Sequence, residues 1–387
     1  MVWILGILLL LNSCSKKDNG DNGTDQEDPF EFVYVSGAEG YACYRTPAIV
    51  TIKQGTILAF CGGRVNNCDD EGDIDLVLKR STDGGKTWSP IMVLENDRLN
   101  PCKNPNPVVL PSGRVLLLWL WNKSIPSEAD RTTREVYITW SDDDGQTWVT
   151  SRNITSMVYE SNWGWYGIGP CHGIIKEREP HQGRLIMPGR IFGPANSNDV
   201  EWRPFHYSTA LYSDDHGQTW QTSHPFPLFG TGEAALTEIS DGSIMYNSRE
   251  HMSVGNRFIA WIHDGGHLWT NLYRSAELYD GPRGSSYGCM GGMIRLPIDG
   301  YDILVYSNLD TEAGMMPGDI GGSNTKEREK ISVWASFDGG KTWPVKRLVY
   351  DGPSAYSNLG VGRAGTVTEG KIYLLYEGGP EGKNSAV

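Results

Sequence analysis

Ser81-Thr82-Asp83-Gly84-Gly85-Lys86-Thr87-Trp88 is one copy of an eight-residue pattern, Ser-x-Asp-x-Gly-x-Thr-Trp, and its recurrence decides the fold. Further copies run from Ser141 to Trp148, from Ser213 to Trp220 and from Ser336 to Trp343. A worn copy, Ile262 to Trp269, keeps Asp264, Gly266 and Trp269. Successive starts lie 60, 72, 49 and 74 residues apart. A period of this kind marks one supersecondary unit per copy, and units of four short strands stack radially into a propeller. Within each box the Asp carboxylate is suited to cap the backbone N–H groups of a tight turn, and Gly supplies a positive φ. The Trp is expected to pack into its own blade. Such a turn satisfies its own polar groups, so the boxes read as scaffold. Five boxes and one unmarked blade predict an all-β, six-bladed β-propeller of four-stranded antiparallel blades.

Composition agrees with many short strands joined by turns: 47 Gly, 21 Pro and 14 Trp occur in 387 residues, without long amphipathic helical stretches. Thr56–Phe60, Gly113–Leu120 and Lys371–Tyr376 read as buried strands. The net charge of −13 argues against a nucleic-acid partner, which demands a basic face. An acidic ligand would likewise be repelled unless arginines gather locally to reverse the field.

Trp3 to Leu11 is apolar but too short to span a bilayer, and it ends in Leu11-Asn12-Ser13-Cys14. That ending resembles the lipobox of bacterial lipoproteins. Residues 1–14 are therefore expected to be a lipoprotein signal peptide, 15–30 a flexible tether and 31–387 the propeller. The expected location is exported and lipid-anchored through Cys14 to the bacterial outer membrane, on its periplasmic or its surface face. Six further cysteines (43, 61, 68, 102, 171 and 289) show no metal-ligand spacing, and spacing alone leaves their pairing open. The chain stops at Ser385-Ala386-Val387, close to where a closing strand is expected, which suggests a clipped C-terminal strand.

Three arginines stand before strand-like runs: Arg45 in Tyr44-Arg45-Thr46-Pro47, Arg257 before the fourth box and Arg328 before the fifth. Their shared placement predicts convergence at one end of the propeller axis, a site for a carboxylate or phosphate.

Here the chain resembles the bacterial exo-α-sialidases (neuraminidases) of glycoside hydrolase family 33. The resemblance rests on Tyr44-Arg45-Thr46-Pro47 and on Arg64 through Val77. It continues through Gly169-Pro170-Cys171-His172-Gly173 and Glu233 through Arg249, and ends with Ser354 through Leu359 and Tyr373 through Glu377. It implies that Arg45, Arg257 and Arg328 bind the C1 carboxylate of sialic acid and that Glu377 orients Arg45. It implies Asp70 as general acid/base, with Asp69 as the adjacent rival, and Arg64 as a contact to the glycerol or N-acyl side. Tyr356 is the implied nucleophile and Glu238 its base partner; Glu233 is the weaker alternative, because the step of 19 residues from Glu238 to Arg257 favours Glu238. A phenol suits this role, since the anomeric carbon already bears a carboxylate that would repel a second anion. A pocket for the N-acetyl methyl is expected near Trp119, Trp121 or Trp163-Gly164-Trp165.

The reading is hydrolysis of terminal α-linked sialic acid from glycans or glycoproteins with retention of configuration. The protein is expected to act as a monomer, with no metal or organic cofactor implied. Alternatives are a trans-sialidase, a related nonulosonic-acid glycosidase and a sialic-acid-binding propeller without turnover. Departures from the family pattern include Thr46, the Phe60-Cys61-Gly62-Gly63 segment, Leu309 and an insertion from Thr311 to Asn324.

Overall fold

Ile57-Leu58-Ala59-Phe60-Cys61 and Val115-Leu116-Leu117-Leu118-Trp119-Leu120 read as continuous apolar runs rather than strict alternations, and both become strands buried on two faces. That is what a blade wedged between two neighbours demands, since neither face of its sheet meets water. The computed structural model describes residues 30–124, 133–194, 205–252, 255–280, 288–310 and 328–387. The signal segment with Cys14, residues 15–29 of the tether and the Thr311–Asn324 insertion lie outside the described residues.

The first blade is β1 (Cys43–Thr51), β2 (Ile57–Arg64), β3 (Ile74–Ser81) and β4 (Met92–Glu95). The second is β5 (Cys102–Val109), β6 (Val115–Asn122), β7 (Arg134–Ser141) and β8 (Arg152–Asn153). In the third, β9 (Trp163–Ile168) and β10 (Ile174–Ile175) both pair with β11 (Leu185–Pro194), followed by β12 (His206–Ser213) and β13 (Gln221–Thr222). The fourth is β14 (Thr231–Glu238), β15 (Ile244–Glu250), β16 (Asn256–Ile262) and β17 (Thr270–Tyr279). The last sheet is β18 (Gly292–Arg295), β19 (Leu304–Leu309), β20 (Glu329–Ser336), β21 (Val345–Val361) and β22 (Ile372–Gly378). Every strand pairing is antiparallel.

The described residues thus form an all-β propeller of five hydrogen-bonded sheets, where the sequence predicted six separate blades. The reason is β21, a strand of 17 residues. Its first half pairs with β20 up to Pro353, and its second half pairs with β22 from Ser354 onward, so one strand serves two neighbours. The chain ends meet beside it: Val33 and Tyr34 donate backbone N–H groups to the Val387 carbonyl at 3.0 and 2.9 Å, and Val387 N–H donates to Tyr34 at 3.0 Å.

The boxes fold as their composition dictates. Asp143 accepts from the Thr147 backbone N–H at 2.8 Å and from the Thr147 hydroxyl at 2.6 Å, while Ser141 Oγ accepts from Gly145 N–H at 2.9 Å. The same set recurs at Asp83, Asp215 and Asp338. Gly85, Gly145, Gly217 and Gly340 take the positive φ that the turn requires. The expectation for Trp needs correction, because the box reaches the preceding blade as well as its own. Trp148 meets Phe60 of the first blade edge-on at 5.9 Å between ring centroids, and a Cβ on Gly217 would strike Leu116 of the second. Box tryptophans and glycines therefore fill the seams between blades.

The inner strands run the same way along the axis, so their N-terminal ends gather at one mouth and their C-terminal ends at the other. The second mouth opens into a cavity of about 960 Å³ lined by Thr51, Val109, Glu238, Arg295 and Val361 among others. At the first mouth four inner strands break register: between Arg45 and Ala48, Lys103 and Asn106, Thr231 and Ala234, and Ser354 and Ser357. Irregularities of this kind bend a strand and re-aim the side chains within it.

Hydrogen bonds from the side chain and backbone of Thr147 hold Asp143 down to about 2. An unfolded Asp titrates near ~3.9, so this contribution is present above about pH 4 and is lost as pH falls toward 2. Asp143→Asn is therefore expected to lower the unfolding midpoint at pH 7, with the gap to the wild type closing between about pH 4 and pH 2. A gap independent of pH would show that the carboxylate charge contributes nothing to the turn.

Candidate active site

The register breaks place one side chain each from β1, β5, β14 and β21 at the first mouth: Arg45, Lys103, Glu233 and Tyr356. Tyr356 is buried and donates its hydroxyl to Glu233, 3.0 Å from Oε1 and 2.8 Å from Oε2. Arg249, near the end of β15, donates Nη1 to both the Tyr356 oxygen and Glu233. Arg190 of β11 adds a contact of 3.3 Å to Glu233 Oε1. Burial works to raise the Glu233 carboxyl, but the charges of Arg249 and Arg190 outweigh it and hold the group below its usual range. The Tyr356 phenol moves the other way: burial lifts it well above its ordinary value, with Glu233 adding to the rise. Arg249, Arg328 and Arg45 oppose that shift without reversing it, so the net effect is opposite to the depressed phenol expected from the arginines alone.

Three guanidinium groups surround the Tyr356 ring, their central carbons 5.6 Å (Arg45), 5.5 Å (Arg249) and 5.5 Å (Arg328) from its centroid. Arg45 leans on the fully buried Glu377, with Nε 3.4 Å from Oε2, while Glu377 Oε1 accepts from Thr46 N–H at 2.7 Å. Thr46 carries a φ of 63°, so the strand is turned at the residue beside Arg45. Arg328 donates Nη2 to the Gly288 carbonyl at 2.7 Å.

Asp70 sits opposite, on the loop between β2 and β3, with its side chain 68% exposed. Its Oδ1 lies 2.8 Å from Arg64 Nη2 and 3.3 Å from Arg45 Nη1. Burial of neighbouring atoms would raise this carboxyl; Arg45, Arg64 and Lys103 overcome that and hold it far below the normal range. Asp69 engages Arg64 through its backbone carbonyl, so the carboxylate facing the arginines is Asp70. The loop is fixed from three sides. Arg64 donates to the carbonyls of Cys68 and Asp69, Lys103 Nζ donates to the Asp70 carbonyl at 2.5 Å, and a Cys43–Cys68 disulfide ties the loop to the strand carrying Arg45. Cys61, Cys102, Cys171 and Cys289 are free and buried.

Residues 55–368 match the BNR repeat-like domain family. The chain belongs to that family. It is 28% identical over 364 residues to a sialidase of Micromonospora viridifaciens, covering 89% of this chain and 51% of that protein. It is also 28% identical over 367 residues to a sialidase of Bacteroides fragilis, covering 88% of this chain and 61% of the relative. Among solved structures, the Hadza microbial sialidase Hz136 superposes with a TM-score of 0.74 at 27% identity, over 89% of this chain and 65% of that one. A leech intramolecular trans-sialidase superposes with a TM-score of 0.72 at 17% identity, a likeness that shows the fold alone. The chain thus spans between half and two thirds of the length of these relatives.

The structure brings Asp70, Tyr356, Arg45, Arg328, Arg64 and Glu377 together at this mouth and places Glu238 and Arg257 away from it. Glu238 stands at the far end of β14, five residues from Glu233 and so about 16 Å along the strand. There it pairs with the buried Lys176 at 2.8 Å and accepts from Glu177 N–H at 2.6 Å, bordering the opposite mouth. The partner of Tyr356 is Glu233. Arg257 is also displaced from its expected role. It is fully buried one strand farther from the axis, bound to Asp280 at 2.7 Å, to Asn247 through Nε and Nη2, and to the Cys289 carbonyl at 2.9 Å. Its guanidinium makes four hydrogen bonds to Asn247, Asp280 and Cys289, and the arginine of this blade that reaches Tyr356 is Arg249. Arg64 is likewise committed to the loop, positioning Asp70. Of the aromatics, Trp119 is core, stacked on Tyr137, and Trp121 bonds Asp97, whereas Trp165 lies beside Arg134 and Arg190.

Proposed function

We propose that this chain is an exo-α-sialidase that hydrolyses terminal α-linked sialic acid from glycans or glycoproteins with retention of configuration. One observation carries the reading: a buried phenol hydrogen-bonded to a carboxylate inside a ring of three arginines, with a second, exposed carboxylate facing it. Arg45, Arg249 and Arg328 would take the C1 carboxylate of the sugar through planar, charge-assisted hydrogen bonds. Most retaining glycosidases use a carboxylate nucleophile, and sialidases with a Tyr nucleophile are the known exception. In the first step Tyr356 Oη bonds to the anomeric carbon, its proton passes to Glu233, and Asp70 protonates the departing oxygen. In the second, water attacks the same carbon and gives a proton to Asp70, while the phenolate leaves and recovers its proton from Glu233.

The electrostatics fit these roles. Glu233 is held as a carboxylate, so it is ready to accept the phenolic proton. Asp70 is held ionised by Arg45 and Arg64 in the free protein. A substrate carboxylate that engages Arg45 weakens that hold and adds a negative charge nearby, which raises Asp70 toward the protonated form a general acid needs. Substrate binding thereby prepares its own acid.

We also read the second half of β21, β22 and the paired chain ends as a sixth blade. The first box supports this, since Gly84 approaches Tyr373 and Val367 as the later boxes approach their preceding blades. Export with lipid attachment at Cys14 is our reading of the N-terminal segment, and the Cys43–Cys68 disulfide favours an oxidising compartment. Cys14→Ser is expected to move the protein from the membrane to the soluble fraction of its host; retention in the membrane would contradict the anchor.

The enzymatic reading is tested with an aryl α-sialoside. Tyr356→Phe and Glu233→Gln are each expected to lower kcat by roughly 10²–10⁴-fold. Glu238→Gln should leave kcat nearly unchanged and instead destabilise the fold by about 3–5 kcal/mol, because Lys176 is left buried without its counter-charge. A folded wild type without turnover, or Glu238→Gln as the rate-limiting loss, would refute the assignment.

A further inference from the structure

Asn66-Asn67-Cys68-Asp69-Asp70-Glu71, at the tip of the loop between β2 and β3, contains no apolar side chain other than Cys68. Asn66, Asn67, Asp69, Asp70 and Glu71 are all exposed, and Cys68 is partly buried. The tip therefore has no hydrophobic anchor, and a loop without one samples many conformations. A general acid must nevertheless stand within hydrogen-bond reach of one particular oxygen. Among the described residues, the ties that hold Asp70 in place divide into two kinds.

One kind depends on the charge of Asp70. Arg64 Nη2 and Arg45 Nη1 hold its Oδ1 at 2.8 and 3.3 Å. Both contacts weaken when the carboxyl takes up a proton, and Arg45 is drawn to the carboxylate of a bound sugar. These ties loosen in the very state in which Asp70 is to act as an acid. The other kind is indifferent to that proton. Arg64 Nη1 donates to the Cys68 carbonyl at 2.8 Å, Lys103 Nζ donates to the Asp70 carbonyl at 2.5 Å, and the Cys43–Cys68 disulfide joins the loop to β1. Of these, the disulfide is the covalent one. Its far end is rigid, because Cys43 is fully buried and pairs with Arg64 in the β1–β2 ladder, where Arg45 pairs with Gly62. Cys43 stands two residues before Arg45, and Cys68 two residues before Asp70. One bond thus couples the strand that carries Arg45 to the loop that carries the acid.

We propose that Cys43 and Cys68 are positioning residues for the acid. Closed, their disulfide holds Asp70 against the departing oxygen of a glycan; opened, it leaves a protein that cleaves efficiently only those sialosides whose leaving group departs without a proton. This rests on the sialidase reading above and gives the disulfide a role within that site. The distinction is chemical. A sugar alkoxide must be protonated as it leaves, whereas 4-nitrophenolate is stable as an anion at neutral pH. Attack by Tyr356 with Glu233, and binding by the arginines, are common to both kinds of substrate. The ratio kcat/KM reports the steps up to cleavage of the glycosidic bond, so the later use of Asp70 as a base does not enter it.

The experiment compares kcat/KM of the full chain on 4-nitrophenyl α-sialoside, phenyl α-sialoside and α2,3-sialyl-lactose, before and after treatment with dithiothreitol. The dithiol gives two electrons and two protons to the Cys43–Cys68 bond and becomes its own cyclic disulfide, while Cys61, Cys102, Cys171 and Cys289 are already free thiols. Opening the bond is expected to lower kcat/KM on sialyl-lactose by about 10–10²-fold and on the phenyl sialoside by less, with the nitrophenyl substrate changing by less than about threefold. Reoxidation should restore both losses. Cys43→Ala combined with Cys68→Ala should reproduce the reduced pattern and no longer respond to dithiothreitol. Thiol labelling read by mass spectrometry reports the state of the bond, and thermal unfolding reports whether each form is folded. The reduced wild type carries the test if the double variant does not fold. Equal losses on all three substrates, including losses through unfolding on reduction, would overturn the proposal, because support of the fold or of Arg45 alone does not depend on the leaving group. Unchanged kcat/KM on sialyl-lactose with the bond open would overturn it as well. Absence of turnover on every substrate by the untreated, folded chain would instead bring down the sialidase reading, and the proposal with it.

Discussion

The hydrogen bond between Tyr356 and Glu233 joins residues 123 positions apart, on strands of different blades, and everything else at the site is arranged around it. Burial raises both groups of this pair; the Glu233 charge raises the phenol further, while the phenol's hydrogen bond lowers Glu233. Arg249 and Arg190 resolve the conflict at Glu233, keeping the carboxylate charged while the phenol stays neutral. A neutral oxygen with a charged base beside it is the combination needed to attack a carbon that already carries an anion. Both partners sit on inner strands, and box residues that reach backward into the preceding seam pack on the strands next to those.

The proposed catalytic groups on the strands reach the mouth through irregularities rather than through regular strand. β1, β5, β14 and β21 each break register at the mouth, and each break carries a functional side chain. A regular strand would direct alternate residues into the seams on either side. The bulge turns one of them toward the axis instead. Asp70 is positioned by different means: its loop is tied by a disulfide, by Arg64 and by Lys103. The exposed carboxylate therefore belongs to a fastened loop, which suits the acid/base role proposed for it.

The sequence made the boxes legible because their chemistry is local, within eight residues, and the same hydrogen bonds recur in each copy. Arg45, Asp70 and Tyr356 were legible through the motifs around them. The two errors share a cause. Glu233 and Glu238 lie on one strand, and nothing in the surrounding composition says which end faces the axis; Arg45, at the start of its own inner strand, was the available guide and favours Glu233. Arg249 and Arg257 both stand at the same edge of the fourth blade. Distance from the axis separates them, and it depends on strand order rather than on sequence spacing. Arg249 stands near the mouth end of β15, as Arg64 does on β2. The Cys43–Cys68 pairing depends on how the loop after β2 folds over the start of β1, and the double duty of β21 on closing the ring; no local pattern encodes either.

The central claim is that Tyr356 Oη forms the bond to the sugar. The most direct test is peptide mass spectrometry after exposing the full chain to a fluorinated sialosyl donor that forms its enzyme adduct faster than it releases it. The account predicts one sialosyl group, attached to Tyr356 and absent from Tyr356→Phe. An adduct on Glu233 or Asp70, or turnover of the donor with inversion and no adduct, would contradict it.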